Sequence, residues 1–293
     1  MTKKNGTASE VDADVNAEAA GDIGADDIAN EFEIDPSLLS EEFNCRRPKR
    51  FPYGIVVNAE QSGLFIPEKN LVKTGWFGSP EMVEKDLSGG VETGLFIPNA
   101  RMIILGSVRP YLRYKDLEEN GKLSGTLIGW YDEYAGEIDK KLMEAVSEHL
   151  VMFLDAANNF LHETPIRIRF KNVALWSLRE CLEQYYSQAE STFAKMFNRK
   201  NSSKNDKWRS LCIVDLAFKG VKEGEGKNRS FCCKVESYIK PDAENFAGLF
   251  MGTKQKMLAV SEKYETSIGF DETVRALLNP VTSELKMIAG VSE

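Results

Sequence analysis

The residues best suited to chemistry in this sequence are cations grouped on one predicted strand and in one loop. From Ile166 to Lys171 apolar and basic residues alternate, so a β-strand there would present three cations on a single face. A second basic group lies in a Ser- and Asn-rich stretch that contains Asp206 as its only acid. The strand cations are Arg167, Arg169 and Lys171, and the loop group comprises Lys195, Arg199, Lys200, Lys204, Lys207 and Arg209 beside Phe197 and Trp208.

Cations in a row are suited to following a phosphate backbone, and aromatic rings beside mobile cations are suited to stacking on unpaired bases. We therefore predict a non-enzymatic protein that binds single-stranded DNA or RNA. The alternative is an ordinary solvated or protein-facing surface, because strands and loops routinely expose Lys and Arg. The predicted contacts are Arg167, Arg169, Lys171, Arg199, Lys200, Lys204, Lys207 and Arg209 with phosphates, and Trp208 with bases.

The net charge of −8 is distributed unevenly along the chain. Residues 1–44 contain 12 acids and 2 bases, whereas residues 166–240 contain 16 bases and 8 acids. The whole-chain charge disfavours a nucleic-acid partner, but the local surplus of cations favours one. We expect the acidic segment either to compete with nucleic acid for the basic surface or to recruit another partner.

Residues 1–44 have few aromatic residues and many Ala, Asp, Glu and Gly, so we predict that they are disordered. Asp35 is a suitable N-cap for a two-turn helix that would place Leu38, Leu39 and Phe43 on one face. This short amphipathic segment either docks on a protein partner or packs against its own domain, since short isolated helices are marginal in water.

Short apolar runs broken by Gly, Pro and Asn follow the basic segment at residues 45–50. Such runs predict an antiparallel sheet or a partly closed barrel. The pentapeptide Gly-Leu-Phe-Ile-Pro occurs at residues 63–67 and again at 94–98, which indicates a duplicated hairpin or two equivalent strand ends. The predicted strands are Gly54 to Val57, Gly63 to Ile66, Leu71 to Phe77, Val91 to Ile97, Arg101 to Tyr114 and Leu123 to Tyr131.

Helical periodicity then predicts a helix from Ala135 to His162, and the order of elements beyond it is mixed. We interpret the chain as an α+β protein with a disordered arm at 1–44, a β-rich region with a C-terminal helix at 45–165, and a mixed region with a basic face at 166–293. Residues 45–293 form either one domain or two. The later predicted elements are a strand at Ile166 to Val173, a helix at Leu175 to Phe197, a hairpin of Trp208 to Phe218 with Ser230 to Ile239, and helices at Glu244 to Tyr264 and Glu272 to Leu278.

Catalytic and cofactor patterns are weak, so we predict no catalytic residue, no metal and no cofactor. His149 and His162 have no cysteine or second histidine at metal-ligand spacing. The loop from Gly220 to Asn228 differs from a P-loop because its glycines are one residue too far apart and no Ser or Thr follows its lysine. A metal-dependent nuclease is a third alternative, behind nucleic-acid binding and an assembly role. Its acids would be Glu133, Glu137 and Asp139.

No secretory signal and no apolar run long enough to span a bilayer are present in the sequence. The five cysteines form no C-x-x-C motif, and their odd number is typical of reduced thiols. These features predict a cytoplasmic protein without a membrane partner.

Four segments resemble an uncharacterised domain family found mainly in cyanobacteria, and the resemblance extends over residues 45 to 245. That family has no established activity or catalytic residues to transfer. The resemblance implies a bacterial cytoplasm and a gene of plasmid or phage origin, without implying a mechanism. The segments are Phe51 to Asn58, Ser62 to Pro67, Trp208 to Cys212 and Ser230 to Lys234.

Overall fold

The computed structural model describes residues 50–278 except 88, 135, 225, 227 and 228. These residues belong to one compact unit, Pro48–Glu293. The predicted disordered arm at 1–44 and its Leu38, Leu39 and Phe43 motif lie outside the described residues.

The centre of the fold is a single β-sheet in which nine strands follow one path. Their order is β11-β10-β5-β8-β9-β1-β2-β4-β3, and β6 and β7 join this path beside β8. The contact between β1 and β9 is parallel, and the other described strand pairs are antiparallel. The strands are β1 Tyr53–Val57, β2 Gly63–Pro67, β3 Val83–Leu87, β4 Gly90–Ile97, β5 Asn99–Ser107, β6 Tyr111–Tyr114, β7 Leu127–Trp130, β8 Met143–Phe153, β9 Ile166–Lys171, β10 Val214–Glu223 and β11 Ser230–Tyr238.

Helices cover both faces of this sheet. Among the described residues, no helix combines the length and the apolar composition needed to cross a membrane. The helices are α1 Glu68–Thr74, α2 Tyr131–Tyr134, α3 Asn172–Met196, α4 Asp206–Arg209, α5 Lys254–Ser267 and α6 Glu272–Leu278, with 3-10 turns at Glu118–Leu123 and Phe246–Gly248.

Helix α3 lies in the curve of the sheet. It contacts β8 and β9 and also β11, although three strands separate β9 from β11. In a flat sheet those strands would lie about 19 Å apart, which exceeds the roughly 10 Å diameter of a helix. The sheet therefore wraps around α3, and Cys233 N–H of β11 donates to Asn58 Oδ1 beyond β1 at 2.8 Å.

Apolar residues at helical spacing bury one side of α3 in the main core. Leu178, Tyr185 and Ala189 are at most 1% exposed and pack in the same cluster as Ile168 and Phe170 of β9. The buried Tyr185 hydroxyl donates to the Ile213 carbonyl oxygen at 2.6 Å, which satisfies its polar end. The opposite face of the sheet carries two smaller apolar clusters. One contains Val260 of α5 and the other contains Val274 of α6.

The two Gly-Leu-Phe-Ile-Pro segments pair with each other. Leu64 of β2 stands opposite Ile97 of β4, and Pro67 stands opposite Gly94, so the repeat forms one antiparallel ladder. A Cβ atom on Gly63 would lie 2.6 Å from the Ile97 oxygen, and one on Gly94 would overlap the Ile66 oxygen. Each copy therefore needs its glycine where the backbone of the other copy approaches.

The prediction of a helix from Ala135 to His162, and with it the C-terminal helix of the region 45–165, is wrong. Strand β8, Met143–Phe153, occupies this segment, and ten of its eleven residues are buried. Strands covered on both faces carry near-continuous apolar runs, which lack the alternation of a half-exposed strand. The apolar residues of this segment happen to recur at three- and four-residue steps, which is the spacing that predicts a helix.

Further elements differ from the prediction. The predicted strand Arg101 to Tyr114 is divided into β5 and β6, and the predicted helix Glu244 to Tyr264 begins at Lys254 as α5. The segment predicted as the strand Leu71 to Phe77 instead contributes to helix α1, which ends at Gly75 in a left-handed conformation. The first strand of the predicted hairpin begins at Val214, because Asn205 caps helix α4 by accepting a hydrogen bond from Trp208 N–H. The α+β class, the strand beginning at Ile166 and the pairing of β10 with β11 are confirmed.

Candidate nucleic-acid interface

Strand β9 places its three cations on one face. Ile166, Ile168 and Phe170 are buried against α3, while the alternating residues are partly exposed on the other side. The sequence predicts this arrangement correctly. The exposed row consists of Arg167, Arg169 and Lys171.

Two buried carboxylates of β8 hold this row. Antiparallel pairing sets Glu148 opposite Arg169, and Arg169 Nη2 lies 2.6 Å from Glu148 Oε1. The other oxygen of Glu148 lies 3.6 Å from Arg167 Nη1. Lys171 Nζ lies 2.9 Å from Glu144 Oε1. The carboxylates are buried beneath cations that reach solvent, so the outer surface of the cluster is positive.

The buried side of the cluster is completed by β6. Arg113 Nη2 lies 2.6 Å from Glu144 Oε1, and the Tyr111 hydroxyl donates to Glu148 Oε1 at 3.1 Å. Burial, followed by the charge of Glu148, raises the pKa of Tyr111 above its ordinary value. Burial acts to lower the pKa of Arg169, but the interactions with Glu148, Tyr111 and Glu144 together outweigh it and the pKa is raised. Both groups therefore hold their protons across the physiological range.

A cleft of about 440 Å³ opens beside these cations. Only Tyr53 and Gly54 of β1 pair with β9, so the two strands separate beyond this point. We call the resulting space the β1–β9 cleft. Its wall combines the three cations of β9 with an aromatic ring and a few apolar groups. The lining residues are Tyr53, Gly54, Ile55, Val56, Asn58, Arg167, Arg169, Lys171 and Ala174.

The loop cations are not brought to this cleft. Arg209 lines a second cavity together with His149, whose side chain points to the face of β8 opposite Glu148. Arg209 Nη2 lies 3.0 Å from Glu190 Oε1. Lys207 lines a third cavity and forms an ion pair with Glu265 at 2.8 Å.

Trp208 packs within an aromatic group and does not reach the cleft. Its ring centroid lies 5.4 Å from that of Phe193 and 5.3 Å from that of Phe250. Trp208 also lines the third cavity, between α4 and α5. This packing leaves one aromatic residue, Tyr53, on the wall of the β1–β9 cleft.

Arg199, Lys200 and Lys204 follow the C-terminal end of α3. Arg199 and Lys200 are exposed. The Lys204 Nζ lies 5.8 Å from the centre of the Phe193 ring. Positive charge at this end complements the helix dipole, an effect that applies to the nearer cations Arg199 and Lys200 and not to Lys204.

Sequence reasoning missed Glu144 and Glu148 because it placed them on a helix. The available signal was two acids spaced four residues apart within a mostly apolar run, each needing a cationic partner once buried. The acids of the third alternative, Glu133, Glu137 and Asp139, gain no support. No group of three or more His, Cys, Asp or Glu side chains that could hold a metal ion occurs within the described part of the chain.

Comparison with known proteins identifies a relative and a family. The chain is 23% identical over 178 residues to "Uncharacterized protein 254L" of Invertebrate iridescent virus 6, an alignment that covers 59% of this chain. The aligned part spans about half, 52%, of the length of that relative. No solved structure matches the chain significantly. Residues 48–282 match the family described as "Domain of unknown function (DUF5895)", and the chain therefore belongs to that family.

Proposed function

We propose that this protein binds single-stranded nucleic acid through the β1–β9 cleft, with Arg167, Arg169 and Lys171 contacting the phosphates. The observation that carries the proposal is the row of three partly exposed cations above two buried carboxylates. Alternate residues of a strand lie about 6.6 Å apart, a spacing suited to successive phosphates of an extended chain.

The geometry supports an unpaired strand as the ligand. A cleft of about 440 Å³ has room for a base, and the ring of Tyr53 on its wall is a candidate for stacking. Lys69 Nζ lies 6.0 Å from the centre of that ring. A guanidinium that already binds a carboxylate keeps further N–H donors for a phosphate, because Arg has five. The carboxylates therefore orient the cations and leave some of their N–H donors free to bind a phosphate.

The predicted contacts outside β9 form a separate part of the proposal. These residues are Arg199, Lys200, Lys204, Lys207, Arg209 and Trp208. They line other cavities or lie at the end of α3, so we assign the primary contacts to β9 alone. The loop cations would add long-range attraction to the phosphates without defining the binding groove.

The test compares two arginine variants by fluorescence anisotropy with a labelled single-stranded oligonucleotide. Arg167→Ser removes a cleft cation, while Arg179→Ser removes an arginine that pairs with Glu183 outside the cleft. We expect Arg167→Ser to weaken binding roughly three- to tenfold and to reduce the salt slope by about 1. Equal effects of the two variants, or wild-type affinity that is unchanged by salt, would contradict the proposal.

The second candidate is an assembly or protein-interaction role. Helix α1 and strand β4 are joined by an ion pair of Lys69 with Glu92 at 3.3 Å, and they carry the exposed apolar residues Val72 and Val91. Exposed apolar side chains are candidates for contact with another protein. Light scattering coupled to size exclusion, with and without oligonucleotide, distinguishes a self-associating protein from a monomer that binds nucleic acid.

We further propose a reducing bacterial cytoplasm as the location, and a cyanobacterial origin. In support, the described cysteines Cys181, Cys212, Cys232 and Cys233 are free thiols. Burial raises the pKa of both Cys181 and Cys233 to about 12, so neither forms a reactive thiolate. Detection of the native protein in an oxidising compartment would contradict this location.

A further inference from the structure

A cavity of about 440 Å³ lies between helix α3 and strands β5 and β8, on the sheet face opposite the β9 cations. We call it the α3 cavity. Leu175 and Leu182 give it an apolar wall, and Ser107 and His149 contribute polar groups from the sheet. The proposed nucleic-acid interface uses none of these four residues.

A β-bulge directs Ser107 into this cavity. The pairing of β5 with β8 shifts between Ile104 and Gly106, and Ser107 then stands opposite His149. Strict alternation would send Ser107 to the same face as Leu105, which packs on the other side of the sheet. The extra residue of the bulge reverses that orientation, a device found beside functional sites.

The hydrogen bonds around His149 define its tautomer. The Ser147 hydroxyl donates its single hydrogen to the Val108 carbonyl oxygen at 2.7 Å. It must therefore accept the hydrogen bond from His149 Nε2, 3.3 Å away. The lone pair of the ring consequently lies on Nδ1, and the Ser107 hydroxyl donates to it at 2.8 Å. Ser107 itself is exposed at the cavity.

The imidazole of His149 is neutral at physiological pH. Burial lowers its pKa to about 4, and the adjacent Glu148 opposes this only in part. The nitrogen that faces Ser107 therefore carries a lone pair at that pH, as the hydrogen bond from Ser107 requires. The charged and titratable groups that face the same cavity are Arg109, Arg179, Glu183, Tyr186, Glu190 and Arg209.

We propose that Ser107 is a nucleophile, that His149 is its general base, and that the α3 cavity takes a small uncharged carboxylic ester. Ser107 Oγ forms a bond to the acyl carbon while its proton passes to His149 Nδ1. The bond from the acyl carbon to the alcohol oxygen then breaks, and the departing alcohol takes the proton from Nδ1. Water next attacks the acyl-serine with proton transfer through Nδ1, which releases the carboxylic acid and restores the Ser107 hydroxyl.

The lining of the cavity supports an uncharged substrate. Arg179 Nε lies 2.8 Å from Glu183 Oε1, and Arg209 pairs with Glu190, so these four charges compensate one another. The third arginine of the lining, Arg109, forms an ion pair with Asp132. Leu175 and Leu182 offer contact to a short acyl chain. This inference is independent of nucleic-acid binding.

A fluorophosphonate probe tests the nucleophile directly, since an activated serine displaces fluoride and retains the phosphonyl group. With the full chain we expect one labelled peptide containing Ser107, with labelling lost in Ser107→Ala. The matched control is Ser79→Ala, which removes an exposed serine outside the cavity and should label like wild type. Circular dichroism verifies the fold of each variant.

A second set of measurements separates catalysis from a merely structural hydrogen bond. His149→Gln should slow labelling by at least about 100-fold, the usual contribution of a general base. Ser147→Ala should slow it less, because Ser147 is a positioning residue. The labelling rate should fall as pH drops through about 4. An unlabelled wild type, or equal labelling of wild type and Ser107→Ala, would overturn the proposal.

Discussion

Arg169 Nη2 lies 2.6 Å from Glu148 Oε1, and the carboxylate is 5% exposed whereas the arginine is 35% exposed. The acid is therefore the buried partner and the cation is the presented one. An ion pair in the reverse arrangement would present negative charge and repel phosphates. The surface is a candidate for anion binding because its carboxylates are buried and its cations are partly exposed, and not because of how many charges it carries.

Replacing Glu148 should separate stability from binding. Glu148→Gln removes the charge that compensates Arg167 and Arg169, so we expect a loss of about 2 kcal/mol in the free energy of unfolding. This loss is smaller than the loss expected on breaking a fully buried ion pair, because both arginines reach solvent. The same change adds net positive charge at the cleft and should tighten oligonucleotide binding. Urea unfolding and anisotropy measure the two effects, with Glu183→Gln as the control for an exposed acid.

The two basic groups should act independently. Because Arg167 and the loop cations Arg199 and Lys200 lie on different parts of the surface, we expect their effects on binding free energy to add. The measurement is a double-mutant cycle of Arg167→Ser with the paired change Arg199→Ser and Lys200→Ser. A coupling energy above about 0.5 kcal/mol would place them in one groove and contradict the separation.

The repeated pentapeptide should depend on its glycines. A Cβ on Gly94 would lie 2.6 Å from Phe65 Cζ as well as near the Ile66 oxygen, so Gly94→Ala should destabilise the protein by about 1–3 kcal/mol. Gly89 meets no atom within 4 Å and supplies the control in Gly89→Ala. Equal unfolding midpoints in urea for the two variants would show that the ladder tolerates a side chain.

Removing residues 1–44 should strengthen oligonucleotide binding. The deletion removes 12 acids and 2 bases, which changes the net charge of the chain from −8 to +2. Reduced repulsion of the phosphates should raise affinity most at low salt and least at high salt, because salt screens long-range charge. Anisotropy across a salt series measures this, and an unchanged affinity at low salt would exclude an inhibitory role for the segment.

Acid should destabilise the fold through its histidines. His162 accepts a hydrogen bond from Phe153 N–H at 2.9 Å, and burial lowers its pKa from 6.5 to about 4. Between pH 6.5 and pH 4 the unfolded chain therefore binds a proton at His162 that the folded protein does not bind. The free energy of unfolding consequently falls as the pH drops from 6.5 towards 4. One histidine contributes up to about 3 kcal/mol over this window. Unfolding in urea at several pH values should show a smaller dependence for His162→Gln than for wild type.

Local patterns in the sequence were sufficient for the elements that expose one side to solvent. The alternation from Ile166 to Lys171 and the helical spacing in α3 each require only that one face be buried, and both predictions are confirmed. The cationic row was predictable for the same reason. Its acidic partners were placed on a helix instead, since β8 is covered on both faces and lacks the alternation of a half-exposed strand.

The sequence by itself determined the α+β class, the row of cations on β9 and the identity of the two pentapeptide copies. Only the tertiary structure decided that those copies pair, that the loop cations lie apart from β9, and that Ser107 turns towards His149. The physical reason is that strand register, bulges and burial on two faces depend on contacts between residues far apart in the chain, whereas periodicity records only the side that each segment buries.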